Sequence, residues 1–283
     1  MGRHAWLIIA HNEFEILQML ISALDDARGD IFIHIDKKVT DLPEILTQKS
    51  RLFILQERLD VRWGAPSQIR CEMLLLQTAF EKGEYSRFHL ISGTHLPLKA
   101  INEIYSFFSE FETNGELMHL WEKDERDIGN KFQRYNLFVD GFSSKLAWIR
   151  RLSHFGWNLS QSVQKRLGVR RFPNEVFIKS DNWVSLSRSA VNYLLEHADD
   201  IEKKYRYSYC GDEYFVATEL NKSGTFLIID TDKLLKTDFI RYNPKIYTMD
   251  DYTSLISSEC LFARKFSSVH LDIARQIIKH SQQ

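Results

Sequence analysis

Short apolar runs alternating with amphipathic segments confine the first third of this chain to one kind of architecture. Ala5 to Ala10 reads as a buried strand, and a helical pattern follows from Glu13 to Leu24, with Phe14, Leu17, Leu20, Ile21 and Leu24 on one side. Ile31 to Ile35, Leu52 to Leu55 and Phe88 to Ile91 read as further strands, and Ser67 to Phe80 as a second helix. Such alternation predicts an α/β fold: a mainly parallel, doubly wound sheet flanked by helices. Ligands of such sheets bind beyond the carboxyl ends of the strands. That rule puts His11, Asp36 and Ser92 to His95 on one rim.

Several chemistries are excluded at once. The first strand enters its helix through His11-Asn12-Glu13, without Gly-x-Gly-x-x-Gly, and there is no Walker A loop. A NAD or FAD enzyme is therefore not expected. A net charge of −1 supplies no global field for nucleic acid. Cys71, Cys210 and Cys260 are widely spaced and odd in number, which reads as reduced thiols without zinc spacing. The N-terminal apolar run is too short for a signal peptide or a membrane span, so the expected location is the cytoplasm.

The second half carries expected strands at Gly115 to Leu120, Val176 to Ile178, Trp183 to Leu186 and Phe226 to Ile229. Helices are expected at Arg188 to His197, Gly211 to Leu220 and Leu271 to Lys279. Residues 122–134 form a charged stretch. Residues 142–168 are aromatic and basic, with Trp148, Phe155 and Trp157, and read as a helical excursion. Two readings stay open for it: a peripheral membrane contact, or a solvated helical pair around a tryptophan core.

Candidate chemistry centres on Cys210-Gly211-Asp212-Glu213. Val216, Ala217 and Leu220 follow Glu213 at helical spacing, which places Glu213 at the head of an apolar stripe. A carboxylate there either caps the helix start or serves as a base at a cleft wall. Asp36 ends a strand and either forms a turn before Lys37-Lys38 or accepts hydrogen bonds from a ribose or base. Asp230-Thr231-Asp232 has the form of a divalent-ion motif, yet Asp is also a routine strand terminator. Arg241 and Arg264-Lys265 are cations near short apolar runs; together they can clamp a diphosphate.

Seven blocks then occur in order: Ala10-His11-Asn12-Glu13, His34-Ile35-Asp36-Lys37-Lys38, Val61 to Ser67, Ser92 to Lys99, Trp183 to Arg188, Gly211-Asp212-Glu213 and Phe262 to Phe266. This series resembles the core-2/I-branching β-1,6-N-acetylglucosaminyltransferase family, which also contains the peptide O-xylosyltransferases. The resemblance implies a GT-A-like, Rossmann-related single glycosyltransferase domain over 1–283, with a nucleotide-binding half at 1–115 and an acceptor-side, catalytic half at 116–283. It implies inverting transfer from a UDP-sugar, N-acetylglucosamine foremost, to a glycan or lipid-linked acceptor, with no cofactor and no metal. Glu213 falls on the family's general base and Asp36 on its nucleoside contact. Lys265 and, by spacing, Arg241 fall on the diphosphate cations. The matched blocks add His11, Ser67, Thr94, His95 and Arg264 on the donor side, and Trp183 and Asp212 on the acceptor side. Lys131, Arg134 and Tyr135 match the acceptor-side basic segment. The chain departs from the pattern at His95, where the family usually has Asp, and at Gly211, where Pro is common. Lacking the anchor and disulfides of animal members, it looks like a bacterial-type member working in the cytoplasm, with peripheral membrane contact possible.

Overall fold

Trp6, Ile8 and Ala10 point to one side of the first strand while Ala5 and Leu7 point to the other, and both sets are buried. A strand apolar on both faces belongs in the middle of a covered sheet. The computed structural model, which describes residues 2–111, 115–241 and 243–282, places it there. Met1 and Gln283, the ends of the expected domain, lie outside the described residues.

In chain order the first half comprises β1 (His4–Ala10), α1 (Phe14–Leu24), β2 (Gly29–Ile35), β3 (Leu52–Ile54), α2 (Ser67–Lys82), β4 (Arg87–Ser92), β5 (Leu96–Pro97) and α3 (Ile101–Ser109). Then come β6 (Glu116–Met118), α4 (Glu125–Lys131), α5 (Ala147–Arg166), β7 (Ser185–Ser187), α6 (Arg188–Glu196), α7 (Ala198–Tyr205) and α8 (Phe215–Ser223). The chain closes with β8 (Ile228–Asp230), β9 (Leu235–Thr237), β10 (Phe239–Ile240), β11 (Asn243–Pro244), α9 (Tyr252–Ile256), β12 (Phe262–Arg264) and α10 (Leu271–Ser281).

The central sheet has seven strands in the order β3-β2-β1-β4-β7-β6-β8. Only β7 runs against its neighbours; the other pairings are parallel. This is the expected α/β architecture, a mainly parallel sheet with helices on both faces. One core packs α1, α3 and α10 against Trp6, Ile8, Ile31 and Ile33. The other packs α2, α6, α7 and α8 against Leu7, Phe32, Phe88 and Leu90. A small sheet, β5-β12-β9, carries the basic segment 262–266.

Two expectations fail locally. Val176 to Ile178 form no strand. Phe177 is buried against Phe132, with ring centroids 4.2 Å apart, but Ile178 N donates to the Thr218 hydroxyl at 3.0 Å instead of to a strand. The stretch thus satisfies its backbone on α8. The helix expected from Gly211 is interrupted. Residues Gly211–Glu213 form a 3-10 turn, and α8 starts at Phe215 after Tyr214, whose φ of −135° lies outside the helical range. Conversely, the charged stretch 122–134 conceals α4, capped by the Asp124 carboxylate, which accepts from Arg126 N at 2.9 Å and Asp127 N at 3.1 Å.

Candidate active site

The carboxyl ends of β2, β1 and β4 lie side by side and present Asp36, His11 and Thr94-His95. A segment from the small sheet crosses this rim. Phe266 N donates to Thr94 O at 3.1 Å. The Glu13 carboxylate accepts from Ser267 Oγ at 2.9 Å, Ser268 N at 2.5 Å and Ser268 Oγ at 2.7 Å. Burial opposes the charge of Glu13, yet these bonds and nearby Lys265 hold its pKa below the usual range. Glu13 adopts a left-handed backbone (φ 56°), an uncommon conformation for a side chain of its size. It clamps the segment bearing Arg264 and Lys265 onto the β1–α1 turn.

Lys265 makes no ion pair or side-chain hydrogen bond among the described residues, so its ammonium is available to a ligand. His11 lies open on the rim between Lys265 and Asp36. Desolvation in this recess, then Lys265, lower its pKa and keep the ring neutral. Asp36 is buried. Its carboxylate accepts from Lys38 N and Lys38 Nζ, both at 2.8 Å, and from Val61 N at 3.2 Å. The turn-forming reading of Asp36 is therefore realised, on the same rim as His11. Thr94 Oγ1 and His95 Nδ1 both contact Ser92 Oγ, at 3.0 and 2.7 Å. His95 Nδ1 also accepts from Ser92 N at 3.1 Å, which leaves the proton of the neutral ring on Nε2, buried and without a partner. Burial, then Arg264, push the His95 pKa well down.

Glu213 occupies the opposite wall. Gly211 permits the tight turn before it, because a Cβ there would lie 2.4 Å from Ser208 Oγ and 3.0 Å from Ile69 Cδ1. The turn is fixed by Ser180 N donating to Glu213 O at 2.8 Å and Cys210 N to Gly64 O at 2.8 Å. The expectation that Glu213 lies along the buried face is corrected: its side chain is 36% exposed, and the buried acid is Asp212. The 3-10 turn rotates Glu213 out of the α8 stripe. Glu213 Oε2 meets Lys131 Nζ at 2.9 Å and Lys179 Nζ at 3.6 Å, and both ammoniums also face Asp127, at 3.1 and 3.5 Å. Tyr214 OH donates to Asp127 Oδ2 at 2.7 Å. Burial works against the Lys131 charge, but the Glu213 carboxylate outweighs it and raises the Lys131 pKa. Glu213 Oε1 makes no hydrogen bond among the described residues.

Asp181 joins the two walls. Its carboxylate accepts from Trp121 Nε1 at 2.8 Å, and it feels both Glu213 and Arg264. Burial raises its pKa. Arg264 stacks over the Trp183 ring at 4.9 Å, with its Nε buried and unpartnered. Burial lowers its pKa to about 10, partly offset by Asp181. Trp183 in turn meets the edge of His95 at 5.0 Å between ring centroids.

The remaining candidates are placed less centrally. Arg241 sits exposed at the tip of the β10–β11 hairpin (φ 60°), with no hydrogen bond or ion pair to the other candidates among the described residues. Ser67 Oγ accepts from Arg62 N at 2.9 Å and so closes the 62–67 loop. Arg134 and Tyr135 make no hydrogen bond or ion pair to Glu213 among the described residues. Tyr135 packs on Tyr207 and under the Arg171 guanidinium. Asp230 Oδ1 accepts from Leu120 N at 2.8 Å, and Asp232 is exposed. Among the described residues, no group of three His, Cys, Asp or Glu is placed to hold a metal ion. A recess of about 310 Å³ between α2 and α7 contains none of the candidate residues.

Four contributors were not singled out in the sequence: Asp127, Lys179, Asp181 and Glu72. Asp127 carries a signal, since it lies four residues before Lys131 on one helical face. So does Glu72, which falls on the Ile69–Leu76 stripe of α2 and is fully buried. Burial, then Asp212, push the Glu72 pKa well up.

Asp212 accepts from Gln68 Nε2 at 2.7 Å and Asn182 Nδ2 at 3.3 Å, while its Oδ1 is buried and unpartnered. Burial, then Glu213, raise its pKa from 3.8 to about 7. The folded protein thus holds a proton that the unfolded chain releases at lower pH. The stability this contributes is fully present below about pH 4 and is lost as pH rises through 7. Asp212→Asn removes the titration. Its stability relative to wild type is expected to rise by about 1.4 kcal/mol per pH unit between pH 5 and 7, then level off. Denaturant melts across pH check this; a difference that stays constant with pH contradicts the protonated carboxyl.

The family model of the core-2/I-branching enzyme matches residues 4–253. No curated protein matches the chain. Among solved structures, the apo crystal structure of mouse xyloside xylosyltransferase 1 is similar, at 10% identity and a TM-score of 0.41, covering 93% of this chain and 97% of that one. With the match extending over most of its length, the chain belongs to the core-2/I-branching enzyme family and is a glycosyltransferase.

Proposed function

We propose that this glycosyltransferase inverts the anomeric centre as it moves a sugar, N-acetylglucosamine foremost, from a UDP-sugar to a hydroxyl of a glycan or lipid-linked acceptor, without a metal. The observation that carries the reading is that one carboxylate, Asp181, feels both Glu213 and Arg264, which sets the Glu213 acid and the 264–265 cations about one site. In this reading residues 1–115 hold the nucleoside side of the donor, and residues 116–283 supply the acceptor side, the base and the diphosphate cations.

Glu213 takes the proton from the acceptor hydroxyl as its oxygen bonds to the anomeric carbon. The bond from that carbon to the β-phosphate oxygen breaks, and its electron pair leaves with UDP. Lys265, with Arg241 reaching from the hairpin, meets the developing charge. Neutral His11 donates to a phosphate oxygen, and Asp36 marks the nucleoside end of the rim. Lys131 and Lys179 orient Glu213. Trp183, held under Arg264, offers an apolar face to the sugar. A xylosyl-type pentose donor uses the same parts. A non-catalytic sugar-nucleotide-binding protein leaves Glu213 Oε1 without a role.

A panel of UDP-sugars tested for protection against thermal unfolding checks the reading, since a ligand that binds only the native state raises apparent stability. One UDP-sugar is expected to raise the melting temperature more than UDP alone, and UDP more than uridine. Protection by uridine equal to that by UDP would remove the cationic rim from the site.

A further inference from the structure

Helix α5 turns the wrong face outward for a soluble excursion. Its inner face is polar. Trp157 Nε1 donates to Asn136 Oδ1 at 2.8 Å, Gln164 bonds Tyr135 N and O at 2.8 and 2.9 Å, and Gln161 reaches Tyr135 O at 3.2 Å. Its outer face is apolar. Trp148, Leu152, Phe155, Leu159 and Val163 recur at spacings of three and four and are 64, 61, 66, 55 and 46% exposed. They form one continuous stripe along the helix. A tryptophan core does not form, because only Trp157 turns inward.

Charge identifies what covers the stripe. Residues 142–171 contain seven Lys and Arg and no Asp or Glu, although the whole chain has a net charge of −1. Arg151, Lys165, Arg166 and Arg170 are exposed and make no ion pair among the described residues. An apolar stripe flanked by unpaired cations matches the acyl boundary and anionic headgroups of a lipid bilayer. A second copy of the chain would instead oppose one cationic segment with another. No helix among the described residues is long and apolar enough to cross a membrane, so the contact is a surface one.

We propose that α5 docks the protein in the plane of an anionic lipid surface. The docking has a direct line to the site: the Asn136 amide that receives Trp157 donates to Lys131 O at 2.8 Å, and Lys131 pairs with Glu213. The Lys131–Glu213 pair therefore lies directly behind the docking helix, on its polar inner face. Docking itself does not depend on the catalytic reading.

The test is sedimentation of the full chain with phosphatidylcholine vesicles, with and without phosphatidylglycerol, read together with tryptophan emission. The chain is expected to bind only the anionic vesicles, more weakly in high salt, with a blue shift that Trp148→Phe diminishes. The double variant Phe155→Gln/Leu159→Gln is expected to lose roughly tenfold or more in partitioning, and so is Arg151→Glu/Arg166→Glu, whose exposed positions leave the fold intact. Glu213→Gln is expected to bind like wild type, which separates docking from catalysis. No binding to anionic vesicles, or full binding by both double variants, overturns the proposal. So does a stable dimer that Phe155→Gln/Leu159→Gln dissolves in a protein that ignores vesicles; the stripe would then join two copies.

Discussion

Glu213→Gln is expected to lower transfer by roughly two or more orders of magnitude, the usual scale for removing a general base, with UDP affinity nearly unchanged. The split follows from the placement of the residue. Glu213 sits on the wall with Lys131 and Lys179, away from the rim where His11, Asp36 and Lys265 gather. A glutamine preserves size and can still accept from Lys131 Nζ, so the fold and the nucleotide site should persist. What disappears is the ability of the carboxylate to take a proton. Initial rates and UDP calorimetry on the same preparation check both halves. Near wild-type rates in a folded variant would end the assignment and return Glu213 to the role of a turn residue.

Lys265→Ala is expected to have the second largest effect, roughly two orders of magnitude in transfer, comparable to losing one preorganised donor to a developing anion. Unlike Glu213→Gln, it should also weaken UDP. Lys265 is the cation the structure leaves unpaired beside His11, and Glu13 fixes its segment through three hydrogen bonds. The alanine removes a charge that no neighbour replaces, since Arg264 is held over Trp183 and Lys38 is paired with Asp36 and Asp60. Arg241→Ala is expected to act in the same direction, and unchanged transfer in that variant would remove the hairpin tip from the diphosphate site. An unchanged Kd for UDP in Lys265→Ala would move the diphosphate elsewhere.

The fold was legible wherever side chains alternate with a strong period. β1, β2, β4 and α2 follow from their apolar runs almost residue for residue, because both faces of the sheet are buried and a one-residue slip would misplace every side chain. The Glu213 turn was legible as a start signal but not as geometry. Nothing in Cys210-Gly211-Asp212-Glu213 distinguishes a first helical turn from a 3-10 turn, and that choice decides which acid is buried. Tertiary contacts made it: Gln68 reaches Asp212, and Lys131 reaches Glu213. Lys131 was found through its motif, while its partner Asp127 lay inside a stretch read only as charged. The outward stripe of α5 was written in the spacing of Trp148, Leu152, Phe155, Leu159 and Val163. Which face turned outward was not, because it depends on Asn136 and Tyr135 claiming the polar side.

The most direct measurement of the central claim is UDP release from a UDP-sugar in excess EDTA. It needs no knowledge of the acceptor, since water can replace the acceptor hydroxyl at Glu213. The account predicts release at the same rate with chelator as with added manganese, and near-background release from Glu213→Gln and Lys265→Ala under both conditions. Release abolished by EDTA and restored by manganese would contradict it and make Asp230 and Asp232 the residues to examine as metal ligands.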